Sequence, residues 1–186
     1  MRELPGEARE GLQLRARMST RLGTFLACAA AVLALDQATK ALASNHLFMG
    51  QPVPVLGQFF RLTLVHNSGA AFGLFPGSRL PFIVVSVLAI AVVLYLFARD
   101  AYRSLMNRVL LGCILGGALG NLVDRIRWGR VVDFIDVGFG TLRWPVFNVA
   151  DSAVTLGVIL LAWNLARSGR TDPDLESPPG SDFARG

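Results

Sequence analysis

Four carboxylates stand where a charge is expensive: Asp36, Asp124, Asp133 and Asp151. Each lies inside or beside an apolar run, and a charge in hydrocarbon costs ~2.5 to 3.5 kcal/mol even on the lenient insertion scale, so each needs a partner or a purpose. Asp36 and Lys40 are four apart on one helix face. They can pair and ease insertion, or they can contact a substrate. Asp124 is followed directly by Arg125, which reads as a pair snorkelling at the end of a span. Asp133 and Asp151 are harder to dismiss: Asp133 sits in Val131-Val132-Asp133-Phe134 with apolar neighbours on both sides, and Asp151 lies between Ala150 and Ser152 with no basic residue within four positions. Two carboxylates held at one low-dielectric site cannot both ionise easily. They share a proton, which supplies one base and one acid for hydrolysis. The same residues could equally line a proton or ion pathway, and spacing alone leaves both open.

The remaining polar residues of the apolar runs are few. Gly112, Gly116 and Gly120 form a tandem GxxxG series with Gly117 beside it, a surface that lets another helix approach closely. Asn121 adjoins that stripe and Asn148 lies one turn before Asp151, both placed to hydrogen-bond across helices. Cys28 and Cys113 have no His or acidic neighbours and read as small apolar fillers. His46 and His66 are too isolated to form a metal site, so neither a metal nor another cofactor is expected.

The elements that must position these groups follow from composition. Of 186 residues, 53% are apolar and 17% charged, with mean hydropathy +0.49, the reverse of a disordered chain. Two cysteines exclude a disulfide framework or a Cys-rich zinc module. The net charge is +5, but the basic residues are scattered and draw no basic face, so no nucleic-acid partner is expected.

The apolar residues concentrate in four runs, against the roughly 20 residues that a membrane-crossing helix needs. They are Leu22 to Ala43, Leu80 to Ala98, Val109 to Val123 and Val146 to Ala166. The fold expected is an all-α membrane protein of four transmembrane helices, with residues 1–21 a polar cytoplasmic extension, 22–167 the four-span domain and 168–186 a Pro- and Gly-rich disordered tail. A cleaved N-terminal leader is a weaker reading of the first run, because that run is long enough to span.

Eleven arginines flank the spans on the side of the termini and six on the other, so both termini should be cytoplasmic. The outer loops are then residues 44–79 and 124–145. In the first, Gln58 to Val65 is β-branched and aromatic between Gly57 and Asn67, which predicts one or two strands in a small extracytoplasmic subdomain between helices 1 and 2. Asn67 to Gly73 reads as a tight loop of small residues, and Val131 to Asp136 as a stretch apolar enough to stay packed on the bilayer.

Four blocks of these residues resemble, in order, the signature blocks of lipoprotein signal peptidase, or signal peptidase II. They are Asp36-Gln37-Ala38-Thr39-Lys40, Asn67-Ser68-Gly69-Ala70-Ala71-Phe72, Gly116 to Arg125 with Val131-Val132-Asp133-Phe134, and Phe147-Asn148-Val149-Ala150-Asp151-Ser152. The resemblance covers roughly Leu22 to Arg167, and four blocks in order are specific where any one is weak. It implies a bacterial inner-membrane aspartyl endopeptidase that cuts lipid-modified prolipoproteins just before the diacylglyceryl-bearing cysteine, with membrane lipids around it. It also implies Asp133 and Asp151 as the catalytic pair, with Asp36, Lys40, Asn67, Asn121, Asp124, Arg125 and Asn148 orienting substrate or holding the pair. The rival class is a small proton-coupled transporter or channel component. Against it stands the absence of an internal sequence repeat, which many transporters show.

Overall fold

A computed structural model describes residues 6–69, 80–99 and 104–168. The second half of the expected Asn67 to Gly73 loop and the tail from residue 169 lie outside the described residues. Four helices and four strands follow in the order α1 (Gly6–His46), β1 (Pro52–Leu56), β2 (Phe60–Asn67), α2 (Leu80–Ala98), α3 (Leu105–Trp128), β3 (Val131–Phe139), β4 (Leu142–Arg143) and α4 (Val149–Ser168). All four helices contain stretches long and apolar enough to cross a membrane.

Two helices are longer than the charge-poor runs suggest. α1 starts at Gly6 instead of Leu22, because the Glu-, Arg-, Leu- and Gln-rich stretch before the span favours helix and contains no proline after Pro5. α3 is set by its caps and not by hydropathy. Ser104 Oγ accepts the Asn107 N–H at 3.0 Å at one end, and Gly129, at φ 68°, closes the other with its N–H on the Arg125 carbonyl at 3.1 Å. Asp124 and Arg125 therefore belong to the last helical turns.

α3 is the central helix, buried along most of its length, while α1, α2 and α4 expose leucines and valines outward. The glycines explain why. A Cβ at Gly112 would stand 2.6 Å from the Phe25 carbonyl oxygen, and one at Gly116 2.5 Å from that of Ala29, so α1 lies directly against the stripe. Gly117 faces the opposite way, where a Cβ would stand 2.6 Å from the Ala150 carbonyl oxygen of α4. Among lipids there is little hydrophobic drive between helices, and such close backbone approach is what association rests on. Phe25 stacks on Phe97 of α2, centroids 4.1 Å apart, within a cluster that includes Leu111, Ile114 and Leu161.

The sheet corrects one expectation. Its order is β1-β2-β3-β4, antiparallel throughout, so half of its strands come from residues 124–145 and not from the segment between helices 1 and 2. The stretch read only as apolar, Val131 to Asp136, is the strand β3, paired with β2 so that Val65 opposes Asp133 and Asn67 opposes Val131. Asp136 clasps the sheet: one of its carboxylate oxygens accepts from Arg61 at 2.8 Å and Thr63 at 2.7 Å, and the other from Arg143 at 2.5 Å. Burial works to raise this carboxyl, but the bonds from Arg143, Thr63 and Arg61 outweigh it and hold it below the ordinary carboxylate range. Ala43, Leu64 and Phe134 fasten the sheet to the end of α1.

Candidate active site

The fold brings Asp133 and Asp151 to one centre, where the sheet meets the start of α4. Asp133 points from β3 into the protein and is 1% exposed. Its Oδ2 accepts from Asn67 Nδ2 at 3.0 Å and its Oδ1 from Asn148 Nδ2 at 2.7 Å. Asn67 ends β2, and its own Oδ1 accepts the Gly69 N–H at 2.8 Å. That local turn, with Gly69 at φ 85°, aims the amide at Asp133.

Asn148 and Asp151 form a reciprocal cap at the head of α4. Asn148 Oδ1 accepts the Asp151 N–H at 2.9 Å, while Asp151 Oδ2 accepts the Asn148 N–H at 3.3 Å. One residue thus touches both carboxylates, through its side chain to Asp133 and its main chain to Asp151. The other Asp151 oxygen accepts from Asn121 Nδ2 at 2.7 Å. Asn121 Oδ1 in turn accepts from Lys40 Nζ at 3.0 Å and from Asn148 Nδ2 at 3.2 Å.

Beneath this pair lies a buried ionic cluster. Lys40 Nζ is 2.8 Å from Asp36 and 2.9 Å from Asp124, so the expected Asp36–Lys40 pair forms and gains a second carboxylate. The expected Asp124–Arg125 pair does not form among the described contacts. Helical geometry turns adjacent residues about 100° apart, so Asp124 faces α1 while Arg125 donates to Ser86 of α2 at 3.1 Å and lies over the Phe82 ring. Asp36 Oδ1 also accepts the Ala150 N–H at 2.9 Å, tying α1 to the first turn of α4.

Sequence reasoning missed Gln37. Its Nε2 is 3.0 Å from Asp124, 3.2 Å from Asp36 and 3.3 Å from the Gly120 carbonyl, and it stands beside Asp36 in the quoted block. Burial raises the Asp133 carboxyl to about 6, and the nearby Asp151 carboxylate adds to the rise; the Asn67 and Asn148 amides and the Lys40 charge offset part of it. A cavity of about 250 Å³ lined by Val65, His66, Asn67, Ser68, Pro145 and Val146 opens onto Asp133. No group of three or more His, Cys, Asp or Glu side chains among the described residues is placed to hold a metal.

Comparison with known proteins places the chain in a family. The lipoprotein signal peptidase of Syntrophus aciditrophicus is 41% identical over 149 residues, covering 77% of this chain and 92% of that protein. That of Moorella thermoacetica is 46% identical over 146 residues, covering 76% and 91%. A solved bacterial membrane enzyme superposes with TM-score 0.73 at 34% identity, covering 84% of this chain and 95% of its own. The family described as signal peptidase (SPase) II matches residues 28–167, a stretch that holds the second half of α1, all of α2 and α3, the sheet, nearly all of α4 and both aspartates of the centre. This multi-pass membrane chain therefore belongs to the signal peptidase II family of aspartic-type peptidases.

Proposed function

We propose that this chain removes signal peptides from diacylglyceryl-modified prolipoproteins, cutting immediately before the lipidated cysteine, with Asp133 and Asp151 as acid and base. The observation that carries the reading is Asn148, whose side-chain and main-chain N–H groups reach the two carboxylates in turn. With the pair sharing one proton, the Asp151 carboxylate takes a proton from water as its oxygen attacks the scissile carbonyl carbon. Asp133 gives its proton to the carbonyl oxygen. As the C–N bond breaks, Asp151 returns its proton to the departing amine and the tetrahedral hydroxyl returns one to Asp133. No covalent intermediate is needed.

Asn67 and Asn121 hold the carboxylates in place, and the cluster of Asp36, Lys40 and Asp124 anchors Asn121 from below. Arg125 and Asn67 are the residues placed to meet the substrate backbone. The apolar groove of about 410 Å³ beside Phe134, lined by Leu42, Ala43, Leu47 and Leu62, suits the apolar part of the substrate. In this reading both termini are cytoplasmic and the centre lies at the outer face of the inner membrane, an orientation that the arginine count supports.

The test is cleavage of one prolipoprotein, with and without its diacylglyceryl group, by the purified chain in lipid nanodiscs. Asp133→Asn and Asp151→Asn should each lower the rate by about a thousandfold while still inserting and keeping the helical spectrum. The unlipidated substrate should be cut poorly, because each buried CH₂ of its missing chains would have added about 0.8 kcal/mol of membrane affinity. Near wild-type cleavage by either variant would remove that aspartate from the chemistry, and equal rates on the two substrates would remove the lipid requirement.

A further inference from the structure

Behind the aspartate centre, on the sheet face that carries His66 and Val132, lies a second cavity of about 510 Å³ that the proposed reaction does not use. The ends of α1 and α3 and the β2–β3 edge enclose it. Lys40 and Asp124 line it 2.9 Å apart, and Lys40 is shared with the buried Asp36 at 2.8 Å, so this trio holds one net negative charge. Arg127, Arg130 and His66 are the other charged or titratable residues facing it, with Trp128 beside them. Both arginines are exposed, and among the described residues neither side chain has an ion-pair or hydrogen-bond partner.

The exposed part of the cavity therefore carries two arginines without an ion-pair partner among the described residues, on what is, in the orientation proposed above, the outer face, where the inside-positive bias disfavours arginine. Arg127, in the last turn of α3, complements the negative end of that helix, but Arg130 lies beyond the cap at Gly129 and does not. His66 responds to the excess: burial and the Arg130 charge both push it below its ordinary value. The two arginines thus have no anion in contact with them among the described residues. The cavity's place at the end of a spanning helix, beside a Trp128 that is 66% exposed, sets it at headgroup depth.

We propose that this cavity binds the phosphodiester headgroup of an anionic membrane lipid, with Arg127 and Arg130 on the phosphate and Trp128 against the glycerol end of the chains. Arginine suits the task because its planar fork matches phosphate oxygens. The substrate's glyceryl thioether carries no phosphate, so the ligand is a lipid of the surrounding bilayer and not the prolipoprotein. A phosphate there would favour protonated His66.

The full chain in phosphatidylcholine nanodiscs, with and without phosphatidylglycerol, tests this by native mass spectrometry of retained lipid. Two arginines near a charged surface amount to about thirtyfold preferential retention of phosphatidylglycerol. Arg127→Gln with Arg130→Gln should abolish the preference, and the two Lys replacements should keep most of it. Unchanged cleavage by the Gln pair in pure phosphatidylcholine shows that it still folds. In parallel, the NMR titration of His66, assigned with His46→Gln, should move to higher pH on adding phosphatidylglycerol to the wild type and not to the Gln pair. Equal retention by wild type and the Gln pair, or an unmoved His66, overturns the proposal. An equal His66 shift with inorganic phosphate in phosphatidylcholine discs overturns the lipid source and leaves a free oxyanion as ligand.

Discussion

Asp133 is the residue through which pH should act. Its carboxyl is raised to about 6, and a proton on the pair is required by the proposed reaction, so kcat/KM should fall as pH rises through about 6 in the free enzyme. Bound substrate excludes water from the same carboxyl and moves the fall in kcat to higher pH. Asn67 pulls the other way, because its amide donates to Asp133 and favours the charged form. Asn67→Ala should therefore shift the alkaline limb of kcat/KM upward and lower its plateau roughly tenfold or more. Pre-steady-state pH profiles on the lipidated substrate read both, and an unmoved limb would reduce Asn67 to the turn residue that its bond to Gly69 also makes it. The ionisable residues of the centre were legible from their apolar surroundings. Gln37 was not: Asn121 and Asn148 were marked by the glycine stripe and by Asp151 beside them, whereas Gln37 stands between Asp36 and Lys40, whose charges account for the polarity of that stretch without it.

At the scale of the element, α3 is the spine whose glycine faces fix the positions of α1 and α4, and hence of Asp36 and Asp151 relative to Asn121 on α3 itself. A side chain at Gly116 meets the backbone of α1, which cannot move aside as a flexible side chain could. Gly116→Leu should cost about 3 kcal/mol or more and abolish cleavage with every polar residue of the centre intact. Gly23→Leu on α1, where an added Cβ meets nothing within 4 Å, should leave both stability and cleavage near wild type. Thermal unfolding in nanodiscs beside the cleavage assay separates the two. The stripe was legible in the sequence as a packing surface, but not which helix takes which face. Gly112 and Gly116 face α1 and Gly117 faces α4, a division that exists only once three helices are packed.

For the whole molecule, hydrolysis by two carboxylates and transport by a chain of them make opposite demands. A peptidase centre needs its proton shared locally, whereas a transporter must pass protons through the bilayer. Reconstituted vesicles should show no substrate-dependent proton flux, measured with an entrapped pH dye, and EDTA should leave cleavage unchanged. Flux that tracks substrate would favour the transporter reading, and activity lost to EDTA and restored by zinc would require a metal site.

What the sequence determined by itself is what local physics enforces: which runs must leave water, and which charges in those runs need an explanation. Asp151 stood out because no basic residue lies within four positions of it, and Asp133 because its immediate neighbours on both sides are apolar. Tertiary structure alone decided the partners. Asp124 directly precedes Arg125 in sequence but pairs with Lys40, because successive helical residues point in different directions and α1 lies on the Asp124 side. Asn67 reaches Asp133 across 66 residues only because β2 and β3 close one sheet from two separate loops. Strand pairing over such a distance depends on how the helices bring the loop ends together, and no local pattern of residues carries that information.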